Sequence, residues 1–264
     1  MPNPALTQSQ IDEKLRNEDL DEWLELWWAS QGGEKRNRGL ELMATALPFG
    51  RDEELLVLDM CCGPGDIGRF IRNRFPKARI DCVDRDPFLL SLCGALNRRA
   101  GITGQTLVRD MWDANWHEGL PRSYDVVASA AALHWFDVRR LGELFGDVFR
   151  MLRPGGAFMF AEPASAETPF AAGFEEWRRE EWRRSDPHYD PQSWDRFWSK
   201  VATLLGYDHR QILESRPHDR EPIGDNGIPV RRYVEMLTKV GYEPVDILLI
   251  DTDKAVIASI KPPV

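Results

Sequence analysis

Hydrophobic and polar residues alternate along the middle of the chain as short apolar runs separated by amphipathic segments. The apolar runs predict five buried strands, and apolar residues at helical spacing predict three helices between them. Because this alternation with Val-, Leu- and Ile-rich strands is typical of a parallel sheet covered on both faces, we expect a doubly wound α/β fold. The predicted strands are Leu55–Met60, Arg79–Asp84, Thr106–Arg109, Tyr124–Ser129 and Ala157–Glu162, and the predicted helices are Asp66–Phe75, Pro87–Arg99 and Val138–Leu152.

Both ends of the chain depart from this alternation. We expect the polar residues before Asp19 to be frayed, and two amphipathic helices to follow them, marked by Leu20, Trp23, Leu24 and Trp27 and then by Leu40, Met43 and Leu47. After Pro163 the chain is rich in Trp and charge and has helical spacing without a convincing strand. A helix and an antiparallel hairpin are predicted to close the chain, over Val230–Val240, Pro244–Ile250 and Ala255–Ile260. We therefore predict an N-terminal helical cap (1–50), an α/β domain (51–163 and 224–264) and a helical insertion (164–223).

Composition narrows the possible partners of the chain. Its 264 residues suit one large α/β domain with a lid, and its formal net charge of −9 argues against broad contact with nucleic-acid phosphates. No apolar run approaches the roughly 20 residues that span a bilayer, and the first ten residues do not resemble a secretory signal. The four cysteines lie in predicted core elements without zinc-site spacing, and the five histidines are scattered. We expect a cytoplasmic protein with reduced core thiols, no metal, and neither membrane nor nucleic acid as partner.

The residues after the first predicted strand form a glycine loop that leads into a helix. Gly63-Pro64-Gly65-Asp66-Ile67-Gly68 satisfies the G-x-G-x-x-G pattern, so a nicotinamide or flavin dinucleotide site is one interpretation. Three other features favour a different cofactor. Asp59 lies inside the end of the first strand, where a carboxylate can hold loop amides or a cationic amino group. The sheet is predicted to end in a hairpin, and residues 152–158 form a helix end, a tight turn and a strand start.

Together these features resemble the class I S-adenosylmethionine-dependent methyltransferases, over residues 53–162 and 241–261. The resemblance implies a mostly parallel seven-stranded Rossmann-like sheet with an antiparallel last strand, covered by a helical lid. In that family an acidic residue precedes a G-x-G-x-G loop, which implies that Asp59, Cys61, Gly63 and Gly65 bind the cofactor. Cys61 occupies the first glycine position, where a cysteine needs a permissive φ and would narrow the pocket.

The ends of the second and third predicted strands carry acidic residues. The resemblance implies that Asp84, about 20 residues beyond the loop, accepts hydrogen bonds from both ribose hydroxyls, with Arg85 beside it in the cofactor site. A plain charge at a helix N-terminus is the alternative for Asp84. Asp86 is expected to cap the helix that follows it, and Asp66 is expected to be only the N-cap of the helix after the glycine loop. The resemblance also implies that Asp110 accepts a hydrogen bond from the adenine amino group and that the Met111 backbone faces a ring nitrogen of the adenine. A solvent-facing turn is the alternative for Asp110.

The fourth predicted strand ends at the expected site of methyl transfer. Ala130 belongs to a run of small residues that leaves room for the methionine part of the cofactor. His134 follows in a Leu-His-Trp segment and is the candidate catalytic base, although a histidine in this position often only bonds backbone. Trp27, Trp28 and Trp135 are candidate acceptor-binding residues; the alternative is that most tryptophans form a small core under the lid.

The expected activity is methyl transfer from S-adenosylmethionine to a small-molecule acceptor, with S-adenosylhomocysteine as the product. One alternative is an NAD(P)-dependent oxidoreductase, and another is a related fold that uses S-adenosylmethionine without transferring its methyl group. A nucleic-acid methyltransferase is disfavoured by the charge and by the lack of an Asn-Pro-Pro-aromatic tetrad after the fourth strand. The acceptor, the methylated atom and the oligomeric state are left open by the sequence.

Overall fold

A seven-stranded sheet forms the centre of the computed structural model, which describes residues 6–163, 168–185, 190–208, 228–251 and 254–263. The strands lie in the order β3-β2-β1-β4-β5-β7-β6. The six strand pairs confirm the expected topology: β1 to β5 run parallel, and β7 runs antiparallel to both of its neighbours. The strands are β1 Leu56–Met60, β2 Arg79–Asp84, β3 Thr106–Val108, β4 Tyr124–Ala130, β5 Leu152–Pro163, β6 Val245–Asp251 and β7 Lys254–Ile260.

Two hydrophobic clusters cover the two faces of the sheet, as a doubly wound fold requires. In β5, Phe158 and Phe160 belong to one cluster, whereas Ala157 and Met159 belong to the other, because successive strand residues point to opposite faces. The first cluster includes residues of α6 (Val138–Met151) and α9 (Val230–Val240). The second includes residues of α3 (Gly33–Ala46), α4 (Asp66–Arg74) and α5 (Pro87–Arg99).

Strand β5 begins five residues before the predicted start, so the prediction that Leu152 ends a helix is wrong. Leu152 is extended, buried and paired with Tyr124 across a register shift in β4. Backbone bonds from Gly155 N–H to the Lys261 carbonyl (2.8 Å) and from Lys261 N–H to the Gly156 carbonyl (2.9 Å) attach this turn to the end of the chain. These partners are more than 100 residues away, and local periodicity does not reveal them.

The expectation that the residues before Asp19 are frayed is wrong for residues 6–18, which the structure describes. Within them lies a helix, α1 (Gln8–Leu15), which starts with a capping box between Thr7 and Gln10. Ile11 and Leu15, spaced four residues apart, are both buried in a cluster that α1 shares with α5. These two apolar residues dock one face of this short polar helix, and Gln8 adds a hydrogen bond from its Nε2 to the Pro87 carbonyl (2.8 Å).

The N-terminal helix α2 (Leu20–Ser30) packs against a helix from the insertion, α8 (Ser193–Leu205). Phe197 makes edge-on contacts with the rings of Trp23 and Trp27, at centroid distances of 5.8 and 5.2 Å. These two tryptophans therefore form the small core that was the alternative to acceptor binding. None of the described helices is both long and apolar enough to cross a membrane.

Most of the described residues of the insertion lie in two helices, α7 (Pro169–Ser185) and α8. Residues 164–167, 186–189 and 209–227, together with the Trp182 side chain and the hairpin link at 252–253, lie outside the described residues. The division of the chain into cap, central domain and insertion therefore stays a prediction.

Candidate active site

The loop after β1 is held in a sharply curved conformation. Cys61, Gly63 and Gly65 have φ angles of 55°, 54° and 83°, in the left-handed region that costs a residue with a side chain about 1–2 kcal/mol. The permissive φ expected for Cys61 is confirmed. The Cys62 N–H donates to the Val83 carbonyl (3.0 Å), so the loop is fastened to the end of β2.

Asp84 ends β2 and holds the same loop through its side chain. Its Oδ2 accepts the Gly63 N–H at 2.8 Å and its Oδ1 accepts the Asp86 N–H at 2.9 Å. The residue is 9% exposed, and burial raises the pKa of its carboxyl to about 6. Each oxygen retains a lone pair for a further donor. The half-buried Arg85 follows it, and Asp86 caps α5 as predicted, accepting the N–H groups of residues 88 and 89.

Asp59 lies fully buried in β1, beneath the loop. Its Oδ2 accepts the Gly68 N–H at 3.0 Å, which holds the first turn of α4 against the strand. Burial and the neighbouring Cys82 raise the pKa of this carboxyl well above its usual range. Asp59 was expected to hold either backbone amides or a cationic amino group, and the structure shows it bound to a backbone amide.

Asp66 connects the cap to the loop, and the prediction that it is only the N-cap of a helix is wrong. Gly65 occupies the N-cap position, and Asp66 is the first residue of α4. Its carboxylate accepts the Trp27 indole N–H at 2.8 Å and pairs with Arg36 and Arg69. Burial opposes ionisation of Asp66, but the two guanidinium groups outweigh it and lower the pKa of the carboxyl.

Trp27 also covers the glycine loop directly. A Cβ placed on Gly63 would lie 3.2 Å from Cζ2 of Trp27, so the indole ring packs on this glycine. Of the three candidate acceptor-binding tryptophans, Trp27 is thus a buried contact between cap and loop. Trp28 is half-buried with its ring beside Gly33. Trp135 is 49% exposed, with its ring centroid 5.1 Å from that of His134.

The segment after β3 is fixed by an arginine that the sequence analysis did not single out. The Nε of Arg140 donates to the Met111 carbonyl (2.7 Å), and its Nη2 donates to the Asp113 carbonyl (3.0 Å). Asp110 accepts a hydrogen bond from the Trp112 N–H at 3.0 Å. This bond belongs to a local turn, which was the alternative to adenine binding for Asp110. The Trp112 ring packs 5.1 Å from that of Phe136. These contacts hold the candidate adenine-binding backbone in one position.

A cleft opens at the carboxyl ends of β4 and β5, beside the loop. Ala131 continues from Ala130 with a φ of 56°, which turns the chain away from the sheet at this point. The cleft is small, with about 40 Å³ of space inside its walls, and small and apolar side chains make up most of those walls. The lining residues are Arg36, Gly39, Leu40, Ala130, Ala131, Ala161, Pro163, Leu249, Lys254 and Val256.

His134 is paired with an acid that sequence reasoning missed. It lies in a short 3₁₀ helix, Leu133–Trp135, and its Nδ1 is 2.8 Å from Oε2 of Glu162. Glu162 is buried in β5, and its carboxylate accepts the backbone N–H groups of residues 132, 133 and 134. Since a carboxylate accepts, Nδ1 of His134 carries the hydrogen of this bond. An acidic residue at the end of an apolar strand, as at Asp59 and Asp84, was the available signal for Glu162.

Three cysteines meet below the loop, although their sequence spacing did not indicate a cluster. The sulfur atoms of Cys62, Cys82 and Cys93 all lie within 4.8 Å of one another, and all three residues are buried. They come from the loop, from β2 and from α5. The structure therefore brings three thiols together. The sequence analysis, which predicted no metal because the cysteines lack zinc-site spacing, did not anticipate this cluster.

Comparison with known proteins shows what the middle of the chain is similar to. Residues 57–156 match the family model described as a methyltransferase domain. The trans-aconitate 2-methyltransferase of Streptomyces avermitilis is 30% identical over 136 residues, covering 49% of this chain and 46% of that protein. The demethylmenaquinone methyltransferase of Leptospira interrogans is 29% identical over 117 residues, covering 44% of this chain and 46% of that protein. The chain thus spans about half the length of these curated relatives.

A solved structure extends the likeness to the whole fold. Human N-acetylserotonin methyltransferase in complex with SAM matches 97% of this chain and 57% of its own, with a TM-score of 0.53 and 14% sequence identity. At this identity the likeness concerns the fold alone.

Proposed function

We propose that this chain, whose residues 57–156 form a class I S-adenosylmethionine-dependent methyltransferase domain, transfers a methyl group from S-adenosylmethionine to a small-molecule acceptor. One observation carries the proposal. The Asp84 carboxylate lies against the curved loop, with its Oδ2 bonded to Gly63 N–H and unused lone pairs on both oxygens. A carboxylate beside a glycine loop at a strand end suits the two ribose hydroxyls of an adenosyl group.

The residues around the loop fit this cofactor. In the proposal, Cys61, Gly63 and Gly65 bring the backbone close to it, Asp84 and Arg85 face the sugar, and Asp110 and Met111 face the adenine. Ala130 leaves space for the methionine part, because β4 ends there in a run of small side chains that line the cleft. Asp59 contributes indirectly, by holding Gly68 and with it the first turn of α4.

When bound, S-adenosylmethionine supplies a methyl group that its sulfonium has already made electrophilic. The chain's own residues then need to align the acceptor and exclude water, and proximity supplies much of the reduction in barrier. The cleft beside Ala130 and Ala131 is the proposed place for the acceptor. Its apolar walls, formed by residues such as Leu40, Leu249 and Val256, would displace water from the reacting atoms.

His134 is the proposed group that removes a proton from the acceptor. Its bond to Glu162 holds the imidazole in one orientation and stabilises the positive charge that the ring gains on accepting a proton at Nε2. Glu162 also holds the backbone of residues 132–134, so the same carboxylate positions the segment and the ring. Acceptors that are nucleophilic without losing a proton would not require this step.

Isothermal titration with S-adenosylhomocysteine and with NAD tests the cofactor assignment. We expect binding of S-adenosylhomocysteine, no binding of NAD, and a large loss of affinity in Asp84→Asn. Asp52→Asn, which removes an exposed carboxylate outside the site, is the matched control and should bind like the wild type. Binding of NAD without S-adenosylhomocysteine would refute the proposal in favour of an oxidoreductase.

A second experiment tests the transfer itself and identifies the acceptor. The protein is incubated with a metabolite pool and with S-adenosylmethionine carrying an isotopically labelled methyl group, and mass spectrometry follows which compound gains the label. We expect a labelled small molecule and an equal amount of S-adenosylhomocysteine. Cofactor binding without any labelled product from a complete pool would support the related fold that does not transfer the methyl group.

A further inference from the structure

The three buried cysteines below the loop form a set of donors that the proposed methyl transfer does not use. Cys62, Cys82 and Cys93 come from three different elements, and their sulfur atoms lie within 4.8 Å of one another. All four cysteines of the chain are free thiols, and the fourth, Cys61, lies outside this group and is only half-buried. The convergence therefore concerns three particular thiols and not the cysteines in general.

A neighbouring amide distinguishes this cluster from ordinary apolar packing. Nδ2 of the buried Asn97 donates to the sulfur of Cys93 at 3.4 Å and to that of Cys82 at 3.6 Å. The sulfur of a neutral thiol is a weak acceptor. Burying an amide N–H against two neutral thiols would therefore cost free energy that the weak hydrogen bonds do not fully recover. Metal-bound thiolates are better acceptors, and N–H donors beside them are typical of the surroundings of sulfur ligands.

The number of donors indicates the kind of metal. Within the described parts of the chain, no fourth His, Cys, Asp or Glu ligand atom joins the three sulfurs. Structural zinc sites are almost always four-coordinate, with four protein ligands, whereas this cluster offers three sulfur atoms. Soft sulfur ligands favour Cu(I), which is satisfied by fewer ligands.

We propose that Cys62, Cys82 and Cys93 form a three-coordinate site for Cu(I) beneath the cofactor loop. Each Cu–S bond that replaces an S–H bond releases its proton to solvent, and the copper remains Cu(I) throughout. The site is independent of the proposed methyl transfer. It would fasten the loop to β2 and α5, because Cys62 belongs to the loop and Gly65 lies directly over Cys93, where an added Cβ would be 2.7 Å from Sγ.

The test is an anaerobic titration of the full chain with Cu(I), in competition with a chromophoric Cu(I) chelator. We expect one bound Cu(I) per chain, and at least about 100-fold weaker binding in Cys82→Ser and in Cys93→Ser. Cys61→Ser is the matched control, since it removes the one thiol outside the cluster, and it should keep the wild-type affinity. Equal affinity in all four proteins, or loss only in Cys61→Ser, would overturn the proposal.

A second measurement does not depend on the variants folding. X-ray absorption of the copper-loaded wild type should show three sulfur neighbours and no nitrogen or oxygen neighbour. The loaded protein should also melt several degrees higher, since a ligand that binds only the folded chain stabilises it. Fewer than three sulfurs, or a mixed set of neighbours, would refute the three-coordinate site whatever the affinity.

Discussion

Gly65 allows a stringent test of how closely the glycine loop packs on the core. In Gly65→Ala, the new Cβ would lie 2.7 Å from Sγ of Cys93, at a φ of 83°. The left-handed backbone costs alanine about 1 kcal/mol, and overpacking of a filled core adds about 1–3 kcal/mol. Cys93 cannot swing aside freely, because it is fully buried among Cys62, Cys82 and Asn97. We expect a loss of about 2–4 kcal/mol in the free energy of unfolding.

Denaturant unfolding measures this loss, and Gly119→Ala is the matched control. Gly119 has a φ of 79° with no atom within 4 Å of an added Cβ, so its alanine variant pays only the backbone cost. We expect the two variants to differ by about 1–3 kcal/mol at an unchanged denaturant slope. In addition, only Gly65→Ala should weaken the binding of S-adenosylhomocysteine. Equal losses of stability would show that the loop does not press on Cys93, and the argument from close packing would be wrong.

Three further predictions concern the histidine and the contact between cap and loop. His134→Ala should keep the affinity for S-adenosylhomocysteine and lower the turnover number about 100-fold or more; unchanged turnover would remove His134 from the mechanism. Trp27→Phe removes the hydrogen bond to the Asp66 carboxylate and should lower the free energy of unfolding by about 1.5–3 kcal/mol. Equal denaturation midpoints for the wild type and Trp27→Phe would contradict this prediction. Pairing with Arg36 and Arg69 lowers the pKa of the Asp66 carboxyl in the folded chain. The ionised carboxylate therefore stabilises the fold above the pKa that this carboxyl has in the unfolded chain, and this stabilisation is lost as the pH falls below about 4. The stability difference between wild type and Asp66→Asn should therefore shrink between pH 6 and pH 3, and a constant difference would argue against this account.

Much of the central fold followed from local patterns. Apart from the start of β5, short apolar runs and helical periodicity predicted the central strands and the helices between them to within one residue. They could do so because burial of a strand or of one helix face leaves a regular trace in the sequence. The glycine loop and the acid at the end of β2 were also visible, since a curved loop needs small residues and its place after a strand is local. The predicted N-cap at Asp66 failed because its partners, Trp27 and Arg36, lie 39 and 30 positions away.

Local patterns thus predicted the order of the elements, the class of sheet and the loop that suggests the cofactor. Which side chains meet became visible only in the folded chain. It paired His134 with Glu162, 28 positions apart, brought Cys62, Cys82 and Cys93 together from three elements, and docked α1 through Ile11 and Leu15. The physical reason is that periodicity records whether a residue is buried, whereas the partner of a buried polar group depends on strand order and helix packing. Those are set by the fold of the whole chain.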